Sequence, residues 1–330
     1  MKKIIVFEQF ISKRNKPVNL IHEDEKLFSH ELFREFDNIY YFHVKNATVV
    51  NQSVYKIKNL RTFVNYHYFY KPSKIKIFKD VIKNLILTKN SKSVIDKGIW
   101  ITDNKSSVYF HWLCDAMCRR TILPSKFDDY PVLLPEKYEI DWIIEFLNFL
   151  DIEYVIFKSN EKIKVKNLIL TSYPAPSGNF HKKTLLKLKN KFLLNYTSND
   201  EIDLNFKNVW IDMDSHRRPV KNIEKIRPVL NKYKFKEVKM EDLNITEKIT
   251  LLQNTDILLG SHSSGLTNML FMKPGSIVID IRDPEDNIKN AFFSMASELD
   301  LKYYYMEREK VKEFIIIDPV KLEDLLESLF

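Results

Sequence analysis

Four short stretches of this chain bring together residue types that chemistry uses. His111 and Asp115 stand four apart in FHWLCD, a spacing that puts them on one face of a helix. Either can take a proton, and the carboxylate can instead orient the imidazole. The plainer reading is a buried polar pair with Trp112 in the core. Asp212 and Asp214 form a D-x-D after the apolar run Val209, Trp210, Ile211, two hard carboxylates of the kind that hold Mg²⁺ or Mn²⁺. Arg217 and Arg218 follow closely. A planar guanidinium fork gives two parallel bonds to phosphate oxygens, although basic runs are commonly just solvated loops. Glycine is scarce, 5 in 330 residues, yet three fall at 260, 265 and 275. The segment LLGSHSSGLTN leaves an apolar run and enters a helical pattern. Glycine allows positive φ or close backbone approach, and a helix start offers amides and a dipole to an anion. Ser261, Ser263, Ser264 and Thr267 add hydroxyls. The alternative is a tight strand-to-helix turn with nothing bound.

The elements that must position these residues alternate between strand and helix. Residues 3–7, 39–44 and 47–55 read as extended, and 78–87 as helix or strand. An apolar run at 98–102 leads through a polar loop into a helix at 109–123, ended by Pro124. A buried strand at 131–135, a helix at 141–150 and strands at 154–157 and 167–170 follow. TSYPAPSGNFH at 171–181 is the best linker, with two prolines, a glycine and small polar residues. A Lys-rich helix at 182–194 comes next. From 207 the alternation is cleaner: strands at 209–211, 236–238, 256–259, 276–281 and 302–305, with helices at 223–233, 244–253, 263–271, 291–299 and 320–330. Asn244 and Glu247 are spaced as a capping box. This rhythm predicts an α/β chain of two domains, 1–190 and 191–330, the second doubly wound.

The run GSHSSGLTNMLFMKPGSIVIDI resembles the GxHGAGLTNxLFxxPG motif of glycosyltransferase family 61, with Gly260, His262, Gly265, Leu266, Thr267, Asn268, Phe271, Pro274 and Gly275 in register. Ser263 and Ser264 replace the usual Gly-Ala, small residues for small residues. The stretch from Trp210 to Asn222 resembles the family's strand and Arg-bearing loop, and Phe110 to Asp115 its N-x-F/Y-H-W-x-x-D motif. Val108 stands where the asparagine is usual. The resemblance spans residues 98–281 and is densest over 207–281. It implies a GT-B fold, two Rossmann-like domains facing across a cleft, and an inverting transfer that needs no metal cofactor. It implies donor binding by Arg217, Arg218, His262, Ser263, Ser264, Gly265, Leu266, Thr267 and Asn268, with Asp115 or His111 as the catalytic base. Glu247 is either the capping-box partner or a ribose or base contact. The last helix is expected to pack back on the N-terminal domain, as in GT-B folds.

Bulk properties narrow the alternatives. With 45% hydrophobic and 29% charged residues the chain is of ordinary globular composition. No run approaches a membrane-spanning length, and Ile4 to Phe7 is cut by Glu8 before any signal-peptide core forms. A cytoplasmic location is expected, at the inner face of a membrane if the basic half binds one. Cys114 and Cys118 read as apolar fillers in a reducing compartment. Charge is uneven: 33 Lys/Arg against 21 Asp/Glu over residues 1–200, and 19 against 23 over 201–330. The expected partners are a nucleotide-sugar donor, probed first as a UDP-sugar, and a glycan or lipid-linked glycan acceptor, in capsule or lipopolysaccharide synthesis. The rivals are a metal-dependent GT-A-type transferase using Asp212 and Asp214, and a non-catalytic carbohydrate-binding protein. A nucleic-acid binder ranks last, since no binding module is legible.

Overall fold

The computed structural model describes residues 3–50, 53–56, 61–62, 73, 75, 79, 82–83, 89–197, 204–212, 219–309, 311 and 314–330. Asp214, Arg217, Arg218 and most of the predicted element at 78–87 lie outside them. The chain forms two units, Met1–Phe10 with Phe36–Ser177, and Ile11–Glu35 with Gly178–Phe330. In chain order the strands are β1 (Lys3–Phe7), β2 (Phe10–Lys13), β3 (Phe33–Phe36), β4 (Ile39–Val50), β5 (Ser53–Lys56), β6 (Arg61–Thr62), β7 (Lys89–Trp100), β8 (Val132–Pro135), β9 (Tyr154–Phe157) and β10 (Glu161–Thr171). They continue as β11 (Asn208–Ile211), β12 (Phe235–Val238), β13 (Ile257–Ser261), β14 (Ile277–Arg282) and β15 (Lys302–Glu307). No helix among the described residues is long and apolar enough to cross a membrane.

The sheet of the first unit runs β6-β5-β4-β10-β7-β8-β9, with β1 also on β4. It is mixed, whereas a Rossmann-like sheet is mainly parallel: β10, β7, β8 and β9 are parallel neighbours, but β4 is antiparallel to β1, β5 and β10. The reason is connection length. Only residues 51–52 separate β4 from β5, and so short a link can join antiparallel strands only. The two runs predicted at 39–44 and 47–55 are thus one long strand and the start of its hairpin partner. The apparent break falls at Asn46, whose φ of +52° is one that asparagine tolerates better than most residues. Lys162, Lys164 and Lys166 in β10 alternate with buried Ile163 and Val165, and then Leu168, Ile169 and Leu170 are all buried where the sheet is covered on both faces. Trp100, Leu133 and Phe157 complete this core.

The second unit holds a five-stranded, all-parallel sheet of order β12-β11-β13-β14-β15. In order of appearance that is 2-1-3-4-5, a doubly wound order whose switch point lies between β11 and β13. Helices Ile223–Lys232, Ile245–Asn254 and Ala291–Glu298 link the strands. The last helix, Pro319–Glu327, is capped by Asp318, which accepts from the amides of Val320 and Lys321, with Pro319 in the first turn. Its buried Leu322 and Leu326 join Ile226, Val229 and Leu230 in the core of this second unit. These residues form a four-apart apolar stripe on each helix, and the two stripes satisfy each other.

Nothing in the composition announced that residues 11–35 belong to this second unit. Buried Arg14 pairs with Glu31 at 2.6 Å, and Ser12 donates to Glu298. The amide of Val18 donates to the Tyr303 carbonyl at 2.9 Å, and Asn19 exchanges bonds with the backbone of Tyr305. The segment therefore covers the open edge of β15, which would otherwise present unpaired backbone groups. Phe28 fills the gap beneath, edge-on to Phe293 at 5.1 Å.

Candidate functional site

In the first unit the carboxyl end of β7 leads into a loop and then a continuous helix over 109–121. Its middle, Trp112–Met117, is π-helical, between α-helical turns at Tyr109–His111 and Cys118–Thr121. Such wide turns recur at functional sites. Trp112 is fully buried and sits edge-on to Trp142. Cys114 and Cys118 are buried and not joined in a disulfide, and burial pushes both thiols well up from the usual range.

The helix brings His111 and Asp115 into a hydrogen bond, Nδ1 to Oδ2 at 2.7 Å. The Ser177 hydroxyl donates to the same oxygen at 2.8 Å. Asp115 is 5% exposed and His111 18%. Burial pushes the Asp115 carboxyl up, and the hydrogen bond from His111 pulls against it. With Nδ1–H given to the carboxylate, the neutral ring carries its lone pair on Nε2. The buried carboxylate thus stands where it can orient the more accessible imidazole.

A second buried carboxylate adjoins this pair. Asp103, in the loop after β7, accepts from the Lys105 amide at 2.7 Å and the Tyr173 hydroxyl at 2.5 Å. Tyr138 donates to the Asp103 carbonyl. Fully buried Arg119 reaches the carbonyls of Ile101 at 2.8 Å and Thr171 at 3.1 Å, and lies 4.7 Å over the Tyr173 ring. It thereby ties the carboxyl ends of β7 and β10 together. Asp103, Tyr173 and Ser177 were not singled out from sequence. Tyr173 and Ser177 sit in the segment read as a linker, where Pro174, Ala175 and Phe180 are in fact buried.

In the second unit the carboxyl end of β13 carries the glycine-bearing turn. Gly260 and Gly265 do not take positive φ. A Cβ on Gly265 would stand 3.0 Å from Ile211 Cγ2, and one on Gly260 would stand 3.3 Å from Ile211 Cβ. Both glycines let the turn close onto β11. Gly275 is the one that needs its conformation, with φ of +86°. The predicted helix at 263–271 is a 3₁₀ helix, Ser264–Phe271. His262, Ser263, Ser264 and Gly265 are half-exposed along the turn, whereas Leu266, Thr267 and Asn268 are buried beneath it. Asn268 donates back to the Gly265 carbonyl at 2.8 Å.

His262 also forms a histidine–carboxylate pair, Nδ1 to Asp280 Oδ2 at 2.7 Å. The Tyr303 hydroxyl donates to that oxygen at 2.8 Å. His262 is 19% exposed and Asp280 wholly buried, and the Phe292 ring packs edge-on to the imidazole at 4.8 Å. Asp280 and Tyr303 escaped the sequence reading, although a charged residue inside the apolar run IVIDI was a legible signal.

The remaining candidates are placed as follows. Glu247 closes a complete capping box: its carboxylate accepts from the Asn244 amide at 2.7 Å, and its own amide donates to Asn244 Oδ1 at 2.9 Å. Asp212 extends β11 through its amide, 2.9 Å from the Val238 carbonyl. Asp214, Arg217 and Arg218 lie outside the described residues. Among the described residues no three of His, Cys, Asp and Glu gather as a metal-holding group.

Comparison with known proteins takes in both histidines. A stretch of 78 residues is 31% identical to the EGF domain-specific O-linked N-acetylglucosamine transferase of Drosophila melanogaster, which is 24% of this chain and 15% of that protein. The chain thus matches only a small part of that relative's length. The family model described as Glycosyltransferase 61 matches residues 109–279, more than half of the chain, from the start of the His111 helix to the β14 strand that carries Asp280. On that match the chain belongs to glycosyltransferase family 61.

Proposed function

We propose that the protein transfers a sugar from a nucleotide-diphosphate donor to a hydroxyl of a glycan acceptor, with inversion at C1 and without a metal ion. The observation that carries this reading is the accessible turn at His262 to Gly265. It lies at the carboxyl end of β13, beside β11, where a parallel sheet of this strand order binds ligands. The diphosphate is assigned to the amides of Ser264 and Gly265, to His262, and to Arg217 and Arg218, which follow β11 in sequence. The two units are read as the acceptor and donor domains of a GT-B enzyme, the donor in the second.

His111 is the general base in this reading, and Asp115, backed by Ser177, holds its ring as the Nδ1–H form. Nε2 takes the proton of the acceptor hydroxyl as its oxygen bonds to C1. The C1–O bond to the diphosphate breaks in the same step, and the nucleoside diphosphate leaves with the electron pair. Arginine charge and oriented amides stabilise the negative charge that develops there.

The name of the fly relative makes N-acetylglucosamine the first sugar to try. The Lys/Arg excess in residues 1–200 suits an acceptor at an anionic membrane face, as in capsule or lipopolysaccharide assembly in the cytoplasm. Thermal unfolding with UDP, GDP, CMP or TDP, each with and without EDTA, tests the assignment. A nucleotide at about 100 times its Kd adds roughly 2.7 kcal/mol of stability. UDP is expected to stabilise the protein equally in EDTA. Stabilisation by none of the four would sink the reading, and loss of the effect in EDTA would return the metal-dependent alternative.

A further inference from the structure

β14 is buried from Val278 to Arg282, yet it carries an aspartate and an arginine. Burying an ion costs several kcal/mol unless partners compensate, so folding by itself favours an apolar residue at 280. What the carboxylate does with its position is specific. One oxygen, Oδ2, receives both His262 Nδ1 at 2.7 Å and the Tyr303 hydroxyl at 2.8 Å. Burial drives the Tyr303 hydroxyl far up from its ordinary range, so it stays a donor.

The tyrosine is held in turn. Arg282 approaches its oxygen at 3.5 Å and reaches Asn290 Oδ1 at 2.9 Å. The Phe28 ring lies 4.8 Å from the guanidinium carbon, and Asn290 donates to the Leu27 carbonyl at 2.8 Å. A continuous set of bonds therefore runs from the 11–35 segment to the one half-exposed member of the group, the His262 ring.

We propose that Asp280 and Tyr303 are positioning residues for His262: Asp280 fixes the ring as its Nδ1–H form, Tyr303 fixes Asp280, and Nε2 is the nitrogen offered to the donor diphosphate. The inference rests on the reading of His262 as a donor-binding group. It adds two residues that meet the ligand only through the histidine.

The test uses the full chain. Long-range ¹H–¹⁵N correlation of the imidazoles shows which ring nitrogen carries the proton, with His262 assigned by its loss in His262→Gln. The wild-type ring is expected as Nδ1–H, and Asp280→Asn and Tyr303→Phe are expected to raise the Nε2–H fraction. UDP affinity is then measured by calorimetry for His262→Ala, Asp280→Asn, Tyr303→Phe and the double variant His262→Ala/Asp280→Asn. His262→Ala and Asp280→Asn should each weaken UDP about tenfold, and the double variant should be no weaker than His262→Ala, because a residue acting through another adds nothing once that other is gone. Undiminished UDP affinity in His262→Ala would reject the donor-site reading itself. A weakened His262→Ala, with unchanged ring protonation in both positioning variants or with multiplying losses in the double variant, overturns this inference alone. Should Asp280→Asn fail to fold, Tyr303→Phe removes one hydroxyl and decides the matter by the same two readouts.

Discussion

Asp115→Asn tests the first-unit histidine pair on two scales at once. Asparagine keeps the size of the side chain and an oxygen that can accept from His111 and Ser177, but not the negative charge. If Asp115 orients the base, the ring loses its preferred form and turnover falls. General-base catalysis is typically worth about 10²–10⁴-fold, or roughly 2.7–5.4 kcal/mol of barrier. Donor affinity should not change, because the pair lies in the first unit and the donor is assigned to the second. Stability should move the other way. A carboxyl raised by burial above its ordinary value of 3.8 contributes stability that is fully present below that value and is lost as pH climbs through the raised folded value. At neutral pH the buried charge is therefore a burden on folding, and Asn relieves it. Melting temperature at pH 7 should match or exceed that of the wild type, and the advantage should shrink as pH falls toward the carboxylate range. Transfer kinetics with saturating donor and calorimetric melting across pH 4–8 provide both measurements. Near-wild-type turnover in the folded variant would refute the orienting role. A lower melting temperature at pH 7 would show that the hydrogen bonds outweigh the cost of burial.

Two further outcomes follow from the second unit. Arg217→Ala and Arg218→Ala should each weaken UDP by the value of a charge-assisted bond, about 1.5–3 kcal/mol, and unchanged titrations in both would remove the arginines from the site. Gly265→Ala drives a methyl to 3.0 Å from Ile211 Cγ2, and overpacking of this kind costs about 1–3 kcal/mol. Ile211→Ala in the same chain should recover part of that loss in urea unfolding, and strictly additive losses would show that the turn does not close on β11 in solution.

The strand–helix rhythm after residue 207 was legible because the central parallel strands β11, β13 and β14 are buried on both faces and read as short apolar blocks between helical patterns. The Asn244–Glu247 cap was legible for the same local reason: all its partners lie within three residues. The His111–Asp115 pair was readable from helical spacing, and the two pieces of the family motif marked both histidines. What spacing could not supply was the third member of each group. Ser177 lies 62 residues from Asp115, and Tyr303 lies 23 from Asp280. Neither belongs to a pattern, so only the chain path brings them in.

The sequence by itself determined the family, the parallel sheet and the two histidines, because these rest on local periodicity and on motifs continuous in the chain. Only the tertiary structure decided which side chain of each pair is buried, that Gly260 and Gly265 serve close packing on Ile211, and that Leu322 and Leu326 complete the second core. It alone showed residues 11–35 crossing to seal the edge of β15. The physical reason is common to all four. Burial, edge pairing and shared hydrogen-bond acceptors depend on what stands opposite a residue in space, and a single chain read along its length carries no term for that.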